Sequence, residues 1–145
     1  PMQLALSESN ISWEAAAATT RGAIEHASSK GLKVCVAVVD RHGSLVSLLR
    51  LPGTPFHSTD IATDKAYTAA SFALATTELG SYLSTASEAV KQGVPLRQRI
   101  VLFGGGIPVI FEGNCIGAVG VSGASEEQDV ECAQKGLEAL KKLSD

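Results

Sequence analysis

Aromatic side chains make up only 5% of the 145-residue chain, which leaves few rings on which to stack nucleobases. Twelve basic residues face fifteen acidic ones and form no basic run, so nucleic acid is not expected as a partner. No apolar stretch approaches the ~20 residues that span a bilayer. The first ten residues also lack the positive and apolar regions of a leader, so a soluble, cytoplasmic protein with no membrane partner is expected. Cys35, Cys115 and Cys132 include no Cys-x-x-Cys pair, which removes the signal for a zinc knuckle or a thioredoxin-type site. Isolated thiols in a reducing compartment are the plainer reading. Charged residues are 19% and hydrophobic ones 45%, a balance that excludes a mainly disordered chain. The length suits one compact domain over residues 1–145. What is plentiful is alanine and glycine, so helices can approach a sheet closely and leave room for a modest pocket.

The first helix is expected over about residues 12–30, with Trp13, Ala17, Thr20, Ile24 and Ala27 as its buried stripe and Ser12 as cap. Lys33 to Asp40 is apolar on both alternating faces, the pattern of a central strand covered on both sides. Asp40-Arg41-His42-Gly43 turns the chain into a returning strand over Ser44 to Leu51. A Pro/Gly loop then leads to a second helix capped by Ser58 or Thr59 and ending near Leu74. Its Ala62, Ala66, Ala69 and Ala73 form a small-residue stripe, and Lys65 and Thr68 sit on an adjacent one with Ile61 and Phe72. Shorter helical pieces broken at Gly80 follow, then a strand over Ile100 to Phe103 and a glycine bend at 104–106. A last hairpin pairs Ile107–Phe111 with Cys115–Val121, with Pro108 near a strand start or on an edge. The closing helix starts after Ser125, which makes a capping box with Gln128, and buries Val130, Ala133, Leu137 and Leu140. Hairpins without βαβ units predict an α/β sandwich: a five-stranded antiparallel sheet with helices packed on both faces.

Several chemistries are absent. Gly104-Gly105-Gly106 lacks the Gly-Lys-Ser/Thr of a phosphate loop, and Gly120-Val121-Ser122-Gly123 misses the nucleophile elbow by one residue. No His-x-x-x-His pair offers a helical zinc site. His26 is expected on an exposed helix face and His42 in a solvated turn. His57, after the Pro/Gly loop, would ligate an iron, shuttle a proton or help start a helix. Lys65, on the semi-apolar side of an Ala-rich helix, must snorkel or find a partner. Pointed into a cavity it would hold a carboxylate, with Arg50 as a second cation, although both also suit surface pairing with Asp60, Asp64 or Glu88. Pro1 suits a processed start, and a free N-terminal proline also serves as base or nucleophile.

The blocks Val38-Val39-Asp40-Arg41-His42-Gly43, Arg50, Ile61 to Ala69, Thr76, Phe103 to Pro108 and Gly117 to Gly123 occur in one order along nearly the whole chain. Together they resemble the GlcG/HbpS-like family, which includes the C-terminal domain of PduO corrinoid adenosyltransferases. The chain departs from the family pattern after Arg50, where Leu51-Pro52-Gly53-Thr54 stands. The resemblance implies a profilin-like sandwich, a homo-oligomer, and a catabolic-operon setting. Some members of that family bind haem, and the leading reading here is a haem-binding or haem-related accessory protein whose pocket lies between the second helix and Phe103, Gly104 and Gly105. There His57 would be the axial ligand to haem iron, with Arg50 and Lys65 facing the propionates. The alternative is a cofactor-independent enzyme, an isomerase, hydratase or lyase of a small oxo or hydroxy acid. In it Arg50 or Lys65 holds the carboxylate and His57 or Pro1 moves the proton. A third possibility is a structural or sensory oligomer in which Arg50 and Lys65 serve subunit contacts.

Overall fold

The computed structural model describes residues 1–144. After a strap without helix or strand over residues 1–12 come α1 (Trp13–Ser29), β1 (Cys35–Asp40), β2 (Leu45–Arg50), α2 (Ser58–Phe72), α3 (Thr76–Leu83) and α4 (Glu88–Gly93). A short 3-10 turn (Val94–Leu96) precedes β3 (Gly106–Phe111), β4 (Asn114–Ser122) and α5 (Glu126–Ser144). The strands form one antiparallel sheet in the order β2-β1-β4-β3. No described helix is long and apolar enough to cross a membrane.

The alternation of β1 explains the layering. Val36 and Val38, with Val119 and Val121 of β4, face a core shared with Ala16, Ala23 and Ala27 of α1 and Cys132 and Ala133 of α5. Cys35, Ala37, Val39 and Ala118 face α2, where Ala62, Ala66 and Ala69 are fully buried. Small residues on this second face let α2 lie directly on the sheet. A Cβ at Gly120 would stand 2.0 Å from the Ala62 carbonyl oxygen.

The expected fifth strand over Ile100 to Phe103 is absent. The run is apolar, but side chains satisfy its backbone instead of a neighbouring strand. The Val101 N–H donates to Thr68 Oγ1 at 3.1 Å, and the Thr68 hydroxyl donates to the Arg99 carbonyl at 2.8 Å. Pro108 lies on β3, an edge strand, where its missing N–H costs no ladder bond.

Local details differ where close packing overrides pattern. The buried face of α1 is Ala16, Thr19, Thr20, Ala23 and Ala27, while Ala17 is exposed and Trp13 is 71% exposed. The α1–α5 crossing is tight: a Cβ at Gly136 would lie 2.6 Å from the Thr19 carbonyl oxygen. Thr19 and Thr20 are buried there because their hydroxyls donate to the Ala15 and Ala16 carbonyls. Gly80 does not break a helix. It sits inside α3, where a Cβ would meet the Leu102 carbonyl oxygen at 2.7 Å. Neither Ser58 nor Thr59 caps α2; its N-cap position is His57, with no side-chain capping bond. The reciprocal Ser125–Gln128 capping bonds are present at 3.1 and 3.2 Å.

Candidate functional site

The central polar feature is a buried ion pair. Lys65, on α2, is 1% exposed, and its ammonium donates to the Val121 carbonyl of β4 at 2.8 Å and to Asp129 Oδ2 of α5 at 3.1 Å. The Phe103 ring centroid lies 5.0 Å from the same nitrogen. Asp129 is 3% exposed, and its other oxygen accepts the Ala124 N–H at 3.0 Å. Burial lowers the pKa of Lys65, with the Asp129 charge opposing the shift. Burial likewise raises the pKa of Asp129, opposed by Lys65.

The glycine bend closes over this pair because no side chain fits. At Gly105 (φ +128°) a Cβ would lie 2.7 Å from the Lys65 nitrogen, and at Gly106 2.4 Å from the Lys65 carbonyl oxygen. The Gly104 N–H donates to Glu126 at 2.6 Å and the Gly106 N–H to Thr76 Oγ1 at 3.1 Å. The carboxylate that Lys65 faces is therefore Asp129 of its own chain. The space between α2 and Gly104–Gly105 is filled by this packing, and Phe103 is half-exposed beside it.

Open space lies elsewhere. A cleft of about 660 Å³ borders the far side of the bend, lined by Gly105, Ile107, Val130, Leu137 and Lys141. A more apolar one of about 690 Å³ lies among Pro108, Phe111, Ile116, Leu140 and Lys141. Neither lining includes histidine, cysteine, methionine or tyrosine.

The other expected site residues stand apart from Lys65. His57 is exposed at the start of α2, eight residues and thus about 12 Å of helical rise from Lys65. Arg50, at the end of β2, donates to the Thr54 carbonyl at 2.7 Å and lies 5.9 Å from the Phe56 ring centroid. This groups Arg50 with the loop leading to His57. Pro1 is exposed at the head of the strap. His26, expected exposed, is half-buried with its Nε2 3.3 Å from Glu131. His42 Nε2 bonds Glu8. His26 Nε2 makes no hydrogen bond either, but it is buried against Glu131, so His57 is the exposed imidazole that faces no carboxylate among the described residues.

Asp129, Glu126 and Thr76 escaped the sequence reading as partners of this region. Asp129 was legible as an acid on an apolar stripe: with Cys132, Ala133 and Gly136 it forms the buried face of α5 at helical spacing. Its place in the first turn of an acidic helix start made a dipole role the simpler reading.

All three thiols are free. Burial pushes the Cys132 thiol up to about 11, and burial also raises Cys35. Iodoacetamide at pH 8 is therefore expected to leave Cys35 and Cys132 unmodified in the folded protein and to label both after unfolding, as read by mass spectrometry. The raised Cys132 pKa favours the folded state fully below the unfolded value near 9.0, and that contribution is lost as pH climbs towards 11.

Comparison with known proteins agrees with this architecture. A family model described as "Haem degrading protein HbpS-like" matches residues 11–138. The chain is 35% identical over 121 residues, 83% of its length, to the corrinoid adenosyltransferase PduO of Salmonella typhimurium, of whose length it spans only 36%. The crystal structure of a Streptomyces reticuli HbpS double mutant superposes with a TM-score of 0.85 at 34% identity, covering 94% of this chain and 90% of that one. A structure of a PduOC–haem complex gives 0.81 at 33% identity, covering 90% and 94%. With the match running from the end of the strap through most of α5, this chain belongs to the HbpS-like family.

Proposed function

We propose that this chain is a haem-binding accessory protein in which the His57 imidazole ligates the iron and Arg50 meets a propionate. The observation that carries the proposal is the free imidazole of His57, in a chain one-third identical to a protein solved with haem. The donor set fits the group. It offers one unengaged nitrogen ligand, one guanidinium for a carboxylate, and the 89%-exposed Phe56 ring as an apolar face.

When bound, haem supplies a redox-active iron; the chain's own residues bind and orient it. Arg50 is already steered by the Thr54 carbonyl, which fixes its guanidinium beside Phe56. Lys65 takes the part of a positioning residue: its pair with Asp129 holds α2, and with it His57, against the sheet. Phe56 and His57 are exposed, and a second copy of the chain covering them suits the expected homo-oligomer.

Haem titration of the purified protein tests the reading. A saturable Soret shift at one haem per chain is expected, and Arg50→Ala is expected to weaken binding about tenfold, equivalent to ~1.4 kcal/mol. A Soret band that never departs from that of free haem refutes it.

A further inference from the structure

A carboxylate already occupies a small cationic seat at the opposite end of α2 from His57. Glu8, in the strap, reaches the β1–β2 turn, where one carboxylate oxygen bonds His42 Nε2 and the other lies 3.4 Å from Arg41 Nε. The strap is latched beside it. The Arg41 guanidinium donates to the Ser9 carbonyl at 3.0 Å, and the Arg41 backbone N–H donates to Asn10 Oδ1 at 2.8 Å. The turn is rigid as well, because Asp40 Oδ1 accepts the backbone N–H groups of His42 and Ser44 at 2.9 and 3.0 Å.

Next to this clamp is a pocket of about 210 Å³ lined by Arg41, His42, Gly43, Tyr67, Ala70 and Ser71. At ~30 Å³ per water that is about seven waters' worth of space, enough for a small acid and far too little for a macrocycle. Gly43 is needed for the geometry: at φ +85° a Cβ would lie 2.8 Å from the Tyr67 ring. Arg99 stacks on the same ring at 3.8 Å and is held by Asp64 at 3.0 Å, so the phenol is fixed in place. The Tyr67 and Ser71 hydroxyls bond nothing else among the described residues. A guanidinium, an imidazole and two residues with unbonded hydroxyls line one small pocket, a set that matches a hydroxy or oxo acid, whose carboxylate takes a guanidinium and whose second oxygen takes a hydroxyl.

We propose that Arg41, His42, Tyr67 and Ser71 form a binding site for a small organic carboxylate, and that Glu8 is its built-in competitor. The strap presents its carboxylate at the high effective concentration of an intramolecular ligand, so a free acid binds weakly until Glu8 is displaced. The site stands apart from the proposed haem seat, because Tyr67 is ten residues, about 15 Å of rise, along α2 from His57.

The test is a backbone-amide NMR titration of the full chain with lactate, using lactamide as the uncharged counterpart and inorganic phosphate as the competing anion. In Glu8→Ala, lactate is expected to shift the amides of residues 41–43 and 67–71 saturably. The wild type should need at least about tenfold more lactate. Adding Arg41→Ala should abolish the shifts, and Tyr67→Phe, which keeps the ring, should weaken them several-fold. The proposal is overturned if lactate leaves Glu8→Ala unchanged, if lactamide acts equally, or if the shifts survive Arg41→Ala. Tighter binding of phosphate than lactate, or collapse of the Glu8→Ala spectrum as a whole, overturns it too.

Discussion

Replacing Asp129 with alanine is expected to destabilise the fold by about 3–5 kcal/mol, a large share of the ~5–15 kcal/mol that keeps a domain folded. The substitution leaves the Lys65 ammonium in a site where it is 1% exposed, with the Val121 carbonyl and the Phe103 ring as its remaining partners. An uncompensated buried charge is the costly part; the pair itself contributes little, because desolvation of both groups offsets their attraction. The pKa directions agree, since burial dominates at Lys65 and at Asp129 alike. The double variant Lys65→Met/Asp129→Leu should therefore return to within about 1 kcal/mol of wild type, or exceed it. Urea unfolding midpoints of the two variants check both statements. A single variant that loses less than about 1 kcal/mol would show that Lys65 escapes to solvent and that α2 is not tied through it.

The second large effect concerns the contact between α2 and the sheet. Gly120→Ala places a Cβ 2.0 Å from the Ala62 carbonyl oxygen and 2.7 Å from the Ala66 backbone nitrogen. Neither atom can rotate away as a side-chain tip would, so α2 must lift from β4. The expected cost is about 3 kcal/mol or more, above the usual range for overpacking because backbone meets backbone. For a chain of this size that corresponds to a fall in Tm of about 10 °C. Gly93→Ala is the matched control: nothing lies within 4 Å of its added methyl. As Gly93 closes α4 in helical geometry, that change is expected to be neutral or to stabilise by up to ~1 kcal/mol. Equal losses in the two variants would mean that α2 does not rest on Gly120.

These two sites also mark what could be read from the chain. Both hairpins, the central position of β1 and the Ser125–Gln128 box follow from local alternation and capping chemistry, and they fold as the pattern predicts. The abundance of small residues pointed correctly to close packing, now seen where Ala62, Ala66 and Gly120 meet. Patterns failed where one side chain substitutes for secondary structure. Thr68 satisfies the backbone of residues 99–101, so an apolar run becomes a covered loop and the sheet has four strands. Trp13 misled because it is the first residue of α1, where the ring stays 71% exposed although it falls on the hydrophobic stripe. At the site, Lys65 was legible as a lysine needing a partner. The identity of that partner was not, because Asp129 lies 64 residues away and meets Lys65 only after β4 and α5 are assembled.

The three histidines differ in their surroundings, so their alanine variants report directly on which imidazole ligates haem. His26 sits against Glu131 and His42 against Glu8, whereas His57 is unengaged. Absorption spectra of wild type, His26→Ala, His42→Ala and His57→Ala, each with one equivalent of haem, should show the wild-type Soret band in all but His57→Ala. A wild-type band retained in His57→Ala, or lost in His26→Ala or His42→Ala instead, contradicts iron ligation by His57.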